Sequence, residues 1–317
     1  MFSKNKIDVL FAAIWLVFSA SFTQAQQIDM HWQPVDSINA TLPEGIRLFA
    51  GQNDALPLRA WYVRIAEKRS DLATRVVLSD DSSDLRETIS SFASDLGAAV
   101  VVNGGYFDMR ARPATHAGLL YIDGKLVAPA THNVTRDTVS YPTARAAIGF
   151  FGDGSADIAW VSNRNNSLFA WPSPPANRPD QPAACPEAGA VYWPVRDAIA
   201  AGPGLISERR IHITSDEEVF FGSSIPKTHP RTAIGYNTED ELLILVVDGR
   251  RPESRGVDLQ ELAVLMLELG AVEAMNLDGG GSSALVVNGN LINRPTGGVV
   301  EREVMSAIAT FMLPKQK

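Results

Sequence analysis

Two segments of the chain, residues 74–108 and 241–283, share one pattern, and this internal repeat constrains the fold more than any other feature. Each segment begins with an apolar run, continues through a polar loop into an amphipathic stretch, and closes that stretch with Leu-Gly-Ala. A glycine in this position is typical of the left-handed residue that follows a helix, so the pattern places two helix ends at Gly97 and Gly270. A second apolar run then follows each glycine and ends at an asparagine.

The two asparagines, Asn103 and Asn276, are each followed by a glycine cluster and then by a hairpin signal. The hairpin turns are Asp-Gly in the first unit and Asn-Gly in the second, the dipeptides that two-residue turns prefer. We therefore predict an α+β (mixed α/β) fold: a single domain with a central mixed sheet, built from two related strand-helix-strand units plus hairpins. The two asparagine-and-glycine ends are expected to meet in one cleft.

The N-terminus has the layout of a secretory signal peptide. Two lysines precede an apolar run over residues 9–22, and small residues come before a cleavage point near Ala25. The run is shorter than the ~20 apolar residues that a transmembrane helix needs. We predict a signal peptide over residues 1–25 and a periplasmic or secreted mature protein without stable membrane insertion. An uncleaved signal that anchors the chain is the alternative.

The remaining chain predicts an N-terminal extended segment over residues 26–71 and one domain over residues 72–317. The formal net charge is −8 and no Lys/Arg-rich cluster occurs, so nucleic acid is not an expected partner. The only cysteine, Cys185, cannot form an intrachain disulfide. A proline-rich insertion at 171–194 predicts an irregular loop. Aromatic residues at its ends could stack on a sugar or anchor the loop in a small core: Trp171, Tyr192 and Trp193.

Five short motifs occur in order along this domain. They are NGGYF at 103–107, AGPGLI at 201–206, HPRTAIG at 229–235, VVDGR at 246–250 and NLDGGGSS at 276–283. Together they resemble the phosphodiester glycosidase family over roughly residues 72–313. The resemblance implies a mixed sheet with helices. It also implies a hydrolase that cleaves the glycosidic bond of a sugar-1-phosphodiester. Together with the predicted signal peptide, this leads us to expect an exported enzyme that acts on an envelope or environmental glycan.

Two other functions fit the same motifs. One is a non-catalytic module that binds envelope polysaccharide, and the other is a phosphodiesterase that cuts the P–O bond. A binding module has no need of a carboxylate beside three glycines, so the residues favour an enzyme whose partner is a glycan or sugar-phosphodiester substrate.

The chemistry of a glycosyl phosphodiester assigns roles to the charged residues. The phosphate needs a cation, and a guanidinium matches two of its oxygens, which makes Arg231 and Arg250 the candidate phosphate-binding residues. The developing oxocarbenium ion and the attacking water need a carboxylate. Asp278, beside the glycines, is the first candidate, and Asp248 at the matching strand end is its expected partner. Capping of the local turns is the alternative role of both aspartates.

Further candidates surround these residues. Gly279, Gly280 and Gly281 leave room for substrate and expose backbone amides that can hold an anionic oxygen. The remaining candidates could donate hydrogen bonds or amides to substrate, or could only support the local backbone: Asn103, Gly104, Gly105, Asn276, Ser282 and Ser283.

No metal is assigned from the sequence. Neither a His-Glu-x-x-His pattern nor paired cysteines occur, so zinc is not expected. A Ca²⁺ or Mg²⁺ ion held by Asp248, Asp278 and backbone carbonyls is compatible with the residue types. A Walker lysine and a Gly-x-Ser-x-Gly elbow are both absent from the sequence, which excludes those two kinds of site.

Overall fold

A computed structural model describes residues 28–184, 188–295 and 300–314 of the chain. The predicted signal peptide and Cys185 lie outside the described residues. The strands, in chain order, are β1 (His31–Pro34), β2 (Ile46–Asn53), β3 (Leu58–Ala66), β4 (Leu72–Leu78), β5 (Val100–Asn103), β6 (Phe107–Asp108), β7 (Thr115–His116), β8 (Leu120–Ile122), β9 (Lys125–Ala128), β10 (Asn133–Arg136), β11 (Val139–Pro142), β12 (Arg145–Phe150), β13 (Ala156–Arg164), β14 (Ser167–Trp171), β15 (Val191–Tyr192), β16 (Asp197–Ala200), β17 (Gly204–Ser207), β18 (Arg210–Ile211), β19 (Arg231–Tyr236), β20 (Glu241–Val247), β21 (Glu273–Asn276), β22 (Leu285–Val287), β23 (Asn290–Leu291) and β24 (Ser306–Met312). The helices are α1 (Asp36–Asn39), α2 (Ile89–Leu96), α3 (Leu259–Glu268) and a 3₁₀ turn at Gly280–Ser282.

The described chain is mostly β and forms three large sheets, where the sequence predicted one central mixed sheet. The eight-stranded sheet has the order β1-β2-β3-β20-β19-β21-β17-β18. The seven-stranded sheet runs β15-β14-β13-β12-β16-β8-β9 and the five-stranded sheet β23-β22-β5-β24-β4. Every ladder between the described strands is antiparallel, so the prediction of a mixed sheet was wrong.

The reason lies in strands that come from elsewhere in the chain. In the first repeat unit β24 lies between β4 and β5, and in the second unit β19 lies between β20 and β21. Each inserted strand runs antiparallel to both of its neighbours. Periodicity indicates the strand-helix-strand order along the chain, but it does not show which other strand pairs between the two strands of a unit. That strand is β24, far along the chain, in the first unit and β19, the hairpin partner of β20, in the second.

Alternating side chains on the buried strands stack the sheets and helices into layers. On β20, Ile244 and Val246 enter the core between the large sheets, whereas Leu243 and Leu245 face the other way and pack in the cluster that contains α3. On β5, Val101 lies in the cluster with α2, and its neighbours in the strand enter the shared core. This period of two covers both faces of each sheet.

Local signals in the sequence set the helix ends. Asp258 and Glu261 form a reciprocal capping box at the start of α3, which satisfies backbone amides that the helix leaves unpaired. Thr88 caps α2 through the Ser91 amide. Gly97 and Gly270 have φ of 60° and 94°, as expected for glycines that follow helices. No helix in the described part of the chain is long and apolar enough to cross a bilayer.

Candidate active site

The two glycine-rich strand ends meet, as the repeat predicts. The side-chain amide of Asn103 at the end of β5 donates to the backbone carbonyl of Asp278 over 2.7 Å. The backbone amide of Asp278 donates in turn to the carbonyl of Gly104 over 3.1 Å. Residues from the ends of β5 and β21, which belong to two different sheets, therefore converge beside the 3₁₀ turn that begins at Gly280.

A cleft of about 160 Å³ opens at this junction. The charged and aromatic side chains that line it are Tyr106, His229, Arg231, Arg250, Asp278 and Arg302. Gly279, Gly280 and Gly281 form part of the same wall. A larger cavity of about 660 Å³ beside β4 is mostly apolar and holds none of the predicted site residues, so the chemistry points to the smaller cleft.

Asp278 is the only carboxylate lining this cleft among the described residues. One of its oxygens accepts the Gly279 amide over 2.9 Å. Burial raises the pKa of Asp278 to about 6, although the Ser282 hydroxyl, the Gly279 amide and the charge of Arg302 act in the opposite direction. A carboxyl group that faces a polar cleft and has a pKa near neutral pH has the properties of a catalytic acid or base.

Arg231 is buried, yet it forms no ion pair within the described residues. Its guanidinium donates to the backbone carbonyls of Ile225, Lys227 and Val257. Burial lowers its pKa. A buried cation without a carboxylate partner is costly unless another anion compensates it. Because the side chain lines the cleft, a bound anion is the natural counter-charge.

Arg250 and Arg302 bring two more guanidinium groups to the cleft. Arg250 is exposed, and one of its nitrogens lies 3.2 Å from Nδ1 of His229. Arg302 lies 3.4 Å from the Ser282 hydroxyl and lowers the pKa of Asp278. Burial and the neighbouring arginines lower the pKa of His229, which favours a neutral imidazole. One carboxylate therefore faces three guanidinium groups, and the cleft is electrostatically suited to an anion.

The glycines of the two motifs have different roles. A Cβ at Gly280, where φ is 64°, would lie 3.2 Å from a guanidinium nitrogen of Arg250. A Cβ at Gly104 would lie 2.7 Å from Ile199 and Ser306, and one at Gly105 would lie 2.4 Å from the carbonyl of Ala200. The glycines after Asp278 therefore border the cleft, while Gly104 and Gly105 allow sheets to pack closely.

Several predicted site residues are buried beneath the cleft. Asn103 accepts the Thr232 hydroxyl in addition to holding Asp278, and it is fully buried. Asn276 donates over 2.9 Å to the hydroxyl of Tyr106, which lines the cleft. Ser283 is also buried, and its hydroxyl has no partner in the described residues. These side chains are placed to position the cleft wall.

Asp248 does not join Asp278 in the cleft. Its buried carboxylate accepts the side-chain amide of Asn293 and the backbone amide of Arg294, both over 3.1 Å. Burial raises its pKa, and the Asn293 hydrogen bond counteracts this. Asp248, which we expected beside Asp278, therefore anchors the segment at 293–294 instead.

Sequence reasoning missed three residues of the cleft. Tyr106 and His229 stand inside the NGGYF and HPRTAIG motifs, so their motif membership was the available signal. Arg302 sits in a Glu-Arg-Glu run that reads as a solvated surface, and nothing in the sequence connects it to Asp278.

Two further predictions concern metals and aromatic residues. The described residues hold no group of three or more His, Cys, Asp or Glu side chains arranged for a metal ion. The indole of Trp193 is buried and donates to Asp157 over 2.7 Å, and that of Trp171 donates to Ser162 over 2.8 Å. Both indoles anchor the ends of the proline-rich segment in the seven-stranded sheet, whereas Tyr192 is exposed.

The sequence matches a known family of enzymes. The family model for phosphodiester glycosidases matches residues 96–311. The chain belongs to the phosphodiester glycosidase family.

Relatives and solved structures agree with this assignment. The N-acetylglucosamine-1-phosphodiester alpha-N-acetylglucosaminidase of Mus musculus is 29% identical over 214 residues, 67% of this chain and 36% of the relative. The human enzyme of the same name is 44% identical over 66 residues, 21% of this chain and 13% of the relative. The chain thus spans only about a third of the mouse relative's length.

The catalytic domain of the zebrafish enzyme, described as auto-inhibited by its pro-peptide, shares the fold with a TM-score of 0.61 at 19% identity. That match covers 90% of this chain and 89% of the zebrafish domain. A hypothetical protein from Synechocystis also has a TM-score of 0.61, at 18% identity, over 86% of this chain and 63% of its own.

Proposed function

We propose that this protein is an exported hydrolase that cleaves the glycosidic bond of a sugar-1-phosphodiester. The observation that carries the proposal is the single carboxylate of Asp278 facing the guanidinium groups of Arg231, Arg250 and Arg302 in one cleft. The relatives named above act on N-acetylglucosamine-1-phosphodiesters, which agrees with an anionic diester as the substrate class.

The leaving group explains the balance of charges. A departing phosphate monoester is weakly basic, with a second pKa of about 6, so it needs little protonation in the transition state. Three cations that bind the phosphate stabilise the charge that develops on it. The electron-poor anomeric carbon needs an anion or a base on its other side.

Asp278 is the group we assign to that second role. Above about pH 6 it is ionised, and it can stabilise the oxocarbenium ion or activate water. Asp248 was expected as a second carboxylate, but its oxygens accept hydrogen bonds from Asn293 and Arg294. We assign it a structural role. The chemistry in this cleft then depends on one carboxylate and the surrounding cations.

Export of the protein is also part of the proposal. A signal peptide over residues 1–25 would deliver the domain to the periplasm or the medium. There an envelope or environmental glycan phosphodiester is its substrate. The basic, apolar and small residues at the N-terminus support export. The charges that line the cleft support the substrate class.

The test is a panel of sugar-1-phosphodiesters of several stereochemistries, incubated with the purified protein in water labelled with oxygen-18. Label in the released sugar reports C–O cleavage and supports the proposal. Label in the phosphate product reports a phosphodiesterase that cuts the P–O bond. Saturable binding without turnover, retained when Asp278 is changed to asparagine, identifies a binding module. In each case the Asp278→Asn protein is the matched control.

A further inference from the structure

A second group of arginines lies near Tyr106 but does not line the cleft. Arg136 ends β10 and Arg145 begins β12, and both side chains are partly buried. We call them the Arg136–Arg145 pair. Neither forms an ion pair within the described residues, although surface arginines elsewhere in the chain do.

Arg145 is held by an aromatic ring. The centre of its guanidinium lies 3.9 Å from the centroid of Phe220, a cation–π contact that fixes the plane of the group. Its Nε is buried without a hydrogen-bond partner in the described chain. The pair is also self-repelling, because the charge of Arg136 disfavours the charged form of Arg145. A stacked cation without hydrogen-bond partners has its donors available for a ligand.

The nearest carboxylate does not neutralise the pair by direct contact. Glu218 is fully buried, and four neutral donors occupy its oxygens. These donors are the Ala146 and Gly204 amides, the Trp160 indole and the Thr214 hydroxyl, at 2.6–3.0 Å. Glu218 attracts Arg145 electrostatically, but the two side chains form no ion pair within the described residues.

The backbone between these groups is strained. Val219 has φ of 60°, a conformation that β-branched residues rarely adopt. Its carbonyl accepts a hydrogen bond of 3.1 Å from Arg136, which helps to hold it there. Val219 lies between the buried Glu218 and Phe220, the residue on which Arg145 stacks. Strain of this kind persists where surrounding contacts enforce it, and it clusters at ligand sites.

Phe220 connects the pair to the cleft. Its ring centroid is 6.0 Å from that of Tyr106, which lines the cleft. Arg145 and Arg231 both act electrostatically on the Tyr106 hydroxyl. Tyr106 is therefore close to both the cleft arginines and Arg145.

We propose that the Arg136–Arg145 pair is a second anion subsite, which binds a carboxylate or phosphate on the aglycone side of the scissile phosphodiester. The inference rests on the proposed function, because it assumes that the first anion, the diester itself, sits between Arg231 and Asp278. It narrows the substrate class to sugar-1-phosphodiesters whose aglycone carries a further negative charge.

Three diesters of one accepted sugar test the proposal. Their aglycones are glycerol, glycerate and glycerol phosphate, which share a three-carbon skeleton and differ chiefly in the charge and its type. We expect kcat/KM for the wild-type protein to be about tenfold higher for the charged aglycones, since one hydrogen-bonded ion contact gives roughly that factor. Preference between glycerate and glycerol phosphate distinguishes a carboxylate from a phosphate ligand.

The variants Arg145→Met and Arg136→Met should each bring the ratio of charged to neutral substrate close to one. Arg164→Met is the matched control. Arg164 also lies over a phenylalanine ring, 5.7 Å from the centroid of Phe169, but it is exposed and belongs to another part of the surface. It should keep the wild-type ratio. A wild-type protein that hydrolyses all three diesters at equal kcat/KM overturns the subsite and leaves the proposed function intact.

Binding measurements distinguish a failure of the subsite from a failure of the proposed function. Affinities of the same diesters for the Asp278→Asn protein, measured by calorimetry, do not require turnover. If nothing is hydrolysed but charged diesters still bind about tenfold tighter in an Arg145-dependent way, the proposed function fails and the subsite stands. Equal affinities for the glycerol diester and the charged diesters overturn the subsite, whatever the turnover.

Discussion

The side-chain amide of Asn103 holds the backbone carbonyl of Asp278 at 2.7 Å, across 175 residues of chain. The same asparagine accepts the hydroxyl of Thr232 and the amide of Ala284 through its carbonyl oxygen. One fully buried side chain therefore connects the end of β5 with β19 and with the loop that carries Asp278. The position of the proposed catalytic carboxylate depends on this connection.

Asn103→Ala should reduce the free energy of unfolding by about 2–4 kcal/mol. The change leaves the Asp278 carbonyl, the Thr232 hydroxyl and the Ala284 amide without their partner, and each buried unpaired polar group is costly. Urea unfolding provides the measurement. Asn290→Ala, in the exposed hairpin after β22, is the control and should change stability by less than about 1 kcal/mol. Equal effects of the two changes would show that Asn103 does not hold the junction together.

Asp278→Asn should lower turnover at least a hundredfold, since positioned acid–base groups typically contribute 10²–10⁴. Asp248→Asn is the matched change outside the cleft, and its turnover per folded molecule should stay within about threefold of wild type. Steady-state kinetics on one accepted diester compares them. The catalytic assignment is wrong if the Asp278 variant keeps full activity, and it moves to Asp248 if the order is reversed.

Thermal stability should respond to Asp278→Asn in the opposite direction to activity. Burial raises the pKa of this carboxyl from 3.8 to about 6, so the folded state disfavours the ionised form. Its contribution to stability is fully present below pH 3.8 and is lost as the pH rises through 6. The variant should therefore melt at or above the wild-type temperature at pH 7, and this advantage should disappear near pH 4. A lower melting temperature at pH 7 would assign Asp278 a structural role.

The pH dependence of kcat/KM should show an acidic limb. Arginines and a phosphodiester keep their charges across pH 4–8, whereas Asp278 becomes protonated below about pH 6. If the ionised carboxylate is the active form, kcat/KM rises with pH up to about 6 and then reaches a plateau. A profile that instead falls above pH 6 would make Asp278 a general acid.

The sequence predicted the local part of this fold well. The helix-ending glycines and the Asp-Gly and Asn-Gly hairpin turns are local, and all of them occur where expected. The sheet organisation was not predictable in the same way, because β24 pairs with β4 and β5, which lie far from it along the chain, and β19, the hairpin partner of β20, also pairs with β21. Repeat symmetry identified the units but could not provide the strands inserted into them.

The residues of the candidate site also fall into two groups: those that motifs identify and those that only the tertiary structure places. Asp278, Arg231 and Arg250 were recognisable because each stands in a motif, and all three line the cleft. Asp248 ends the first strand of the same repeat unit and was expected as a partner of Asp278, yet its carboxylate accepts a hydrogen bond from Asn293. Arg302 reaches the cleft from the segment before β24, where only tertiary structure reveals its partner.

The exposed cleft arginine should affect binding without affecting the fold. Arg250→Met is expected to raise the inhibition constant of inorganic phosphate about tenfold, because a hydrogen bond to an ion contributes about 1.5 kcal/mol or more. Its melting temperature should match wild type. Arg231→Met should weaken phosphate binding and also destabilise the protein, since Arg231 holds three backbone carbonyls. Arg210→Met, on exposed β18, is the control for net charge. An unchanged inhibition constant in both variants would remove these arginines from the phosphate site.

Gly280→Ala tests whether the glycines after Asp278 serve the cleft or only the backbone. An alanine at φ 64° costs about 1–2 kcal/mol, and its Cβ would also lie 3.2 Å from the Arg250 guanidinium. Gly97→Ala is the matched control, with φ of 60° and open space around the added Cβ. Both variants should lose similar stability in urea unfolding.

Only the Gly280 variant should raise KM for a charged diester, since only there does the new methyl group displace a phosphate-binding side chain. In the double variant Gly280→Ala with Arg250→Met, the two effects on KM should then be less than additive, because both act on the same guanidinium. If KM is unchanged in Gly280→Ala, or the two effects are fully additive, the glycine is required by the backbone conformation of the loop and not by the position of Arg250.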